Sequence, residues 1–244
     1  MAARTYLSGA MRFFPVTNFS FLPLLLAGYL MQLPEAEMRS PTHSTRFDGP
    51  YVLHKNGRVQ VTYIDDEHGV KRLRQEMVPS AEAGSLNLEV ATDEPGKFFS
   101  VRLRSQIAPE KPEHPMPDKM FVVSDLEGNF AAFRKLLQAG GVIDASYRWT
   151  YGNGRLVLVG DFVDRGDQVT ELLWLIYSLE DQARSQGGYV HYILGNHEIM
   201  NLSGDLRYLH PKYAQAAALM QTGFTQLYGE QSELGRWLRS KNVV

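Results

Sequence analysis

Arg155-Leu156-Val157-Leu158-Val159-Gly160-Asp161-Phe162-Val163-Asp164-Arg165-Gly166 is the stretch on which the reading of the fold turns. Leu156 to Val159 is an unbroken apolar run, the mark of a strand covered on both faces, as in a parallel sheet. A glycine then lets the chain turn, and two aspartates and an arginine follow in the turn. The same layout recurs on either side. Upstream, Met120-Phe121-Val122-Val123 runs into Ser124-Asp125-Leu126-Glu127-Gly128-Asn129; downstream, Tyr189 to Leu194 runs into Gly195-Asn196-His197-Glu198. Helical spacing fills the gaps. Phe130, Phe133, Leu136 and Leu137 are closed by Gly140-Gly141, and Val169, Leu172, Leu173, Ile176 and Leu179 by Gly187-Gly188. Alternating strands and helices predict an α/β fold with a mostly parallel sheet. In such sheets ligands gather at the carboxyl ends of the strands, so topology alone should bring the three loops together.

The residue types in these loops suggest a chemistry. Asp125, Glu127, Asp161 and Asn196 offer oxygen donors that suit divalent metals of intermediate hardness, and one aspartate shared between two ions would hold them close. Arg165 offers a planar fork matched to a phosphate edge. His197 suits protonation of a leaving oxygen, with Asp164 orienting its ring. Taken alone, Asp161 and Asp164 would read as helix-capping residues; Arg165, Gly166 and the Gly195 to Glu198 run count against that. Glu198 reads as a structural bond to a neighbouring loop. His191, in an apolar strand, reads as a packed core residue, while His43, His54, His68 and His114 read as solvated.

Gly-Asp-x-x-Asp-Arg-Gly followed by Gly-Asn-His-Glu, each after an apolar strand, resembles the phosphoprotein-phosphatase type of calcineurin-like metallophosphoesterase. The run Met200-Asn201-Leu202-Ser203-Gly204-Asp205-Leu206-Arg207-Tyr208 further resembles the bacterial Shewanella-like branch. The resemblance covers roughly residues 119–244 and implies part of a metallophosphoesterase sandwich. It implies hydrolysis of phosphate monoesters or phosphoproteins by a metal-bound hydroxide, with two divalent ions (Mn favoured, Fe or Zn as alternatives). Asp125 would ligate the first ion, Asp161 bridge both, and Asn196 bind the second and contact substrate. His197 would be the general acid held by Asp164, and Arg165 would clamp phosphoryl oxygens. Arg207 and Tyr208 would line the substrate mouth, or else serve the surface or the core.

Two departures stand out. The family's histidine in the first loop is Glu127 here; it either ligates through oxygen, favouring Mn²⁺ or Mg²⁺, or turns away and leaves the first metal weak or absent. The family also has two further histidine ligands far downstream, whereas only His210 follows His197, beside a proline and outside a strand-end context. His210 is not read as a substitute. The chain ends at Asn242-Val243-Val244, which reads as entry to another strand, so the domain is expected to be the amino-terminal part of the family fold. One or no metal is expected to persist, and turnover is expected to be low; a degenerate phosphate- or metal-binding module is the alternative.

The first half carries no recognisable chemistry. Residues 1–34 have a signal-like or anchor layout: Arg4 and Arg12 precede a charge-free, apolar stretch, and Pro15 and Pro23 interrupt a regular spanning helix. Membrane association through residues 13–33 and a periplasmic or membrane-anchored place in a bacterium are expected, a cytoplasmic one being the alternative. Met11 is an alternative start. Residues 35–118 read as a β-rich accessory region, with a hairpin at Asn56-Gly57 and a strand around Lys97 to Leu103, closed by a linker containing Pro109, Pro112, Pro115 and Pro117. The 244-residue chain has no cysteine, which excludes disulfides, thiolate metal sites and cysteine nucleophiles. A net charge of -2 argues against a nucleic-acid partner. The short Lys71, Arg72, Arg74 cluster reads as solvated surface.

Overall fold

The computed structural model describes residues 45–243. The signal-like segment 1–34, with its membrane-association stretch 13–33, lies outside the described residues. No helix among the described residues is long and apolar enough to cross a membrane.

The first layer is antiparallel. β1 (Thr45–Lys55) and β2 (Arg58–Glu67) turn at Asn56 and Gly57, with φ of 49° and 73°. Two successive left-handed residues match the twist of a hairpin, and asparagine and glycine tolerate them. His68 and Gly69 repeat this geometry (φ 56° and 87°) into β3 (Val70–Pro79). β3 was not legible in the sequence because it is polar and largely exposed. Its basic residues meet acidic ones across the strand pair: Arg74 lies 3.3 Å from Asp65, Arg72 lies 2.5 Å from Glu67, and Lys71 bonds Asp66. The basic cluster is therefore surface charge neutralised by β2. A 3₁₀ turn (Ser80–Ser85) leads to a second hairpin, β4 (Asn87–Ala91) with β5 (Phe98–Arg102).

The main sheet has four parallel strands in sequential order: β6 (Met120–Val123), β7 (Arg155–Val159), β8 (Tyr189–Leu194) and β9 (Asn242–Val243). α1 (Phe130–Ala139) and α2 (Val169–Ser185) connect the first three. Neither antiparallel sheet is hydrogen-bonded to the parallel one, so the β-rich region is a separate covering layer. α2 lies between, packing on β8 and on β1, β4 and β5. Leu172, Leu173, Trp174, Leu175 and Ile176 are all buried, the pattern of a helix enclosed on every side. Trp174 Nε1 donates to the Pro50 carbonyl at 2.9 Å across this boundary.

The other face of the parallel sheet is open, with Val122 58% and Val243 60% exposed. The proline-rich linker 108–118 crosses near it without regular structure, anchored where the Glu110 N–H donates to the Ser240 carbonyl at 2.8 Å. Beyond β8 come α3 (Asn196–Ser203), α4 (Pro211–Leu219), α5 (Phe224–Leu227) and α6 (Glu233–Leu238). Leu234, Trp237 and Leu238 enter the core as their spacing predicted. His210 caps α4 by accepting from the Lys212 N–H. Two expectations of solvated histidines need correction. α6 covers β1, so His54 bonds buried Glu233 at 2.7 Å, and His114 packs on Tyr189 and His191.

Candidate active site

The three strand-end loops converge, and their backbones are knitted together. The Glu127 N–H donates to the Asp161 carbonyl (2.9 Å), the Gly128 N–H to the Phe162 carbonyl (2.8 Å) and the Gly166 N–H to the Glu127 carbonyl (2.9 Å). Glu198 ties the second loop to the third. Its carboxylate accepts from the N–H groups of Asp161 (2.9 Å), Phe162 (2.7 Å) and Gly195 (2.8 Å) and from the Tyr192 hydroxyl (2.9 Å). Burial, reinforced by the Glu198 charge, pushes the Tyr192 hydroxyl well above its ordinary pKa, so it stays a donor. The structural reading of Glu198 holds.

The approach between the second and third loops is too close for side chains at Gly160 and Gly195. A Cβ on Gly160, whose φ is 76°, would fall 2.4 Å from the Gly195 backbone, and one on Gly195 would fall 2.4 Å from Asp161 Oδ1. Five non-glycine residues of the first two loops are left-handed: Asp125 (φ 56°), Glu127 (44°), Asp161 (59°), Asp164 (68°) and Arg165 (55°). Each such residue stores on the order of 1 kcal/mol, held in place by surrounding bonds, and such residues cluster at functional sites.

At the centre, His197 Nδ1–H donates to Asp164 Oδ2 at 2.8 Å, both groups being buried. The carboxylate can only accept, so Nδ1 carries the proton. Asn201 Nδ2 donates to the other Asp164 oxygen at 2.9 Å. Asn201 was not singled out from the sequence as a site residue; its position one helical turn after His197 was the available signal. The His197 backbone N–H donates to Asp161 Oδ1 at 2.9 Å, and the Tyr208 ring lies 5.2 Å from the imidazole. Arg165 donates its backbone N–H to the Tyr208 carbonyl (3.0 Å), and its guanidinium pairs with Glu127 at 2.5 Å. Arg207 is exposed and held by Asp205 at 2.7 Å.

Asp125 and Asn196 stand exposed at the loop ends, with no side-chain hydrogen bond to another of the described residues. The carboxylates of Asp125, Glu127 and Asp161 do not close as a trio to within 4.8 Å. The structure thus brings His197, Asp164, Asn201 and Asp161 into direct contact. It leaves Asp125 and Asn196 at the rim and turns Glu127 toward Arg165.

Residues 119–242 match the calcineurin-like phosphoesterase family. A Shewanella-like protein phosphatase 2 of Arabidopsis thaliana is 38% identical over 96 residues, 39% of this chain and 25% of that protein. A Shewanella-like protein phosphatase 1 of Plasmodium berghei is 28% identical over 117 residues, 46% of this chain and 32% of that protein. Among solved structures, the cold-active protein-tyrosine phosphatase of a psychrophilic Shewanella species superposes with a TM-score of 0.64 at 35% identity. That superposition covers 80% of this chain and 58% of the other. The chain thus spans well under two thirds of each of these relatives. It belongs to the calcineurin-like phosphoesterase family, and its likeness is to the Shewanella-like phosphatases within it.

Proposed function

We propose that the three strand-end loops form a metal-dependent phosphoesterase centre for phosphate monoesters, phosphoproteins among them. The observation that carries this reading is the buried His197–Asp164 pair at 2.8 Å, with the His197 ring and the Arg165 guanidinium both against Tyr208, at 5.2 and 5.4 Å from its ring centre. Asp164 holds Nδ1, which leaves the second ring nitrogen to exchange a proton with a leaving oxygen. Arg165 is positioned to take a phosphoryl edge once it releases Glu127. The named activities of the relatives, protein phosphatase and protein-tyrosine phosphatase, support a phosphorylated protein as substrate.

The donor set fits hard to intermediate divalent ions such as Mn²⁺. Asp125 and Asn196 are unengaged among the described residues, and Asp161 uses only Oδ1 in the bond to His197. These three residues would hold metal, with Glu127 joining only if it leaves Arg165. A bound divalent ion would supply charge neutralisation and a more acidic water.

Phosphate release from p-nitrophenyl phosphate tests the reading. We expect slow, Mn²⁺-dependent release that falls by about 10²-fold or to background in His197→Ala. Arg165→Ala should weaken inhibition by inorganic phosphate. Release that persists in His197→Ala would remove the assigned acid. Phosphate binding with no release at all would instead mark a non-catalytic binding module.

A further inference from the structure

We propose that Glu110, His114 and His191 form a binding site for a divalent transition-metal ion on the sheet face turned away from α2, separate from the candidate phosphoesterase centre. One donor atom from each of these residues lies within 4.8 Å of the others. They come from two segments far apart in sequence. His191 sits in mid-strand of β8, in register with Val157 of β7, while Glu110 and His114 lie on the linker that crosses this face.

Three features favour an ion over mere packing. First, the donors are gathered without satisfying one another. His191 Nδ1 and Glu110 Oε1 stand 3.6 Å apart, beyond hydrogen-bonding distance, and the half-buried His191 ring has no hydrogen-bond partner among the described residues. Second, one His114 ring nitrogen is engaged by the backbone, as is common for metal-binding imidazoles. Its Nε2–H donates to the Lys111 carbonyl at 3.0 Å, which fixes the tautomer and leaves Nδ1 as the lone-pair nitrogen. Third, Lys241 takes Glu110 Oε2 at 3.4 Å, the oxygen away from His191, so the carboxylate is anchored while Oε1 stays free. The Glu110 N–H bond to the Ser240 carbonyl (2.8 Å) anchors its backbone as well.

Two imidazoles and one carboxylate make a borderline donor set, suited to Zn²⁺ or Co²⁺ rather than Mg²⁺ or Ca²⁺. The trio lies on the wall of an open cleft of about 610 Å³, which leaves room for water or a small anion to complete the coordination. Arg155 shares that wall, and its buried Nε has no hydrogen-bond partner among the described residues, so an anionic completing ligand would also find a donor there.

The test uses the full chain and Zn²⁺ alone, with the first site disabled by Asp125→Asn and Asp161→Asn together. Equilibrium dialysis of that background should retain one equivalent of zinc. Adding His114→Ala should weaken its affinity by at least about tenfold, with an unchanged far-ultraviolet spectrum, because His114 makes a single hydrogen bond on an irregular linker. His191→Gln should act alike. Co²⁺ should give visible absorption bands that vanish in both variants. A background that binds no zinc would overturn the proposal, as would zinc affinity indifferent to His114→Ala.

Discussion

Asp164 accepts from His197 on one oxygen and from Asn201 on the other, so each carboxylate oxygen has its own donor. Asp164→Asn replaces one acceptor by an NH₂ group and sets a donor against a donor in a buried place. The ring of His197 then loses its fixed tautomer. We expect p-nitrophenyl phosphate hydrolysis to fall about 10²-fold or more, mainly in kcat, with Asn201→Ala losing less because His197 keeps its own bond. Steady-state kinetics of the two variants would check this ranking. A second residue-scale expectation concerns Glu171, on the first turn of α2. Burial pushes its carboxyl from the ordinary 4.5 up to about 7, against the opposing pull of Lys212 3.6 Å away. One of its oxygens, Oε2, is buried without a hydrogen-bond partner among the described residues. The folded chain therefore holds this proton more tightly than the unfolded chain. The resulting stabilisation is full below about pH 4.5 and is lost as pH rises to about 7, by at most about 3 kcal/mol. Urea unfolding at pH 5 and pH 7.5 should show the loss, and Glu171→Gln should flatten it.

At the scale of elements, the loops after β6, β7 and β8 are bonded to one another across the strand ends. Glu198 satisfies three backbone N–H groups and a hydroxyl, all directed at one carboxylate. Glu198→Ala would strand those donors in a buried setting, and we expect a loss of about 3–5 kcal/mol, read as a drop in the urea midpoint. Glu198→Gln should lose less, since the amide oxygen still accepts. These units were legible in the sequence because a continuous apolar run followed by glycine and carboxylates has few other readings. β3 was not legible: its exposed, charged residues carry no period-two apolar signal, and its pairing is set by β2 through Asp65, Asp66 and Glu67. The site divides in the same way. Asp161, Asp164, Arg165 and His197 stand in a motif whose spacing conveys their contact. That Glu127 turns sideways to Arg165, or that Asn201 backs Asp164, depends on side-chain direction across loops, which residue spacing does not encode. The gathering of Glu110, His114 and His191 was equally hidden, since it joins a strand interior to a linker that reads only as extended chain.

For the molecule as a whole, over residues 45–243, the decisive element is α2, because both layers bury their faces on it. Trp174 bonds the Pro50 carbonyl on the β-rich side, and the Tyr177 hydroxyl donates to Glu233 of α6 at 2.7 Å. The buried apolar residues form one cluster, running from Tyr51 and Val59 through Leu173 to Leu156, Val190 and Trp237. A helix enclosed on every side contributes to two interfaces at once, so neither layer can be exposed without stripping the other of its partner. We therefore expect the antiparallel layer and the parallel sheet to unfold together. Far-ultraviolet circular dichroism and tryptophan fluorescence should give coincident urea transitions. Trp174→Phe should lower both midpoints by the same amount, by about 1–3 kcal/mol for a lost buried hydrogen bond and reduced packing. Two separated transitions, or a variant that moves one midpoint and leaves the other, would mean that the layers are independent and that α2 belongs energetically to only one of them.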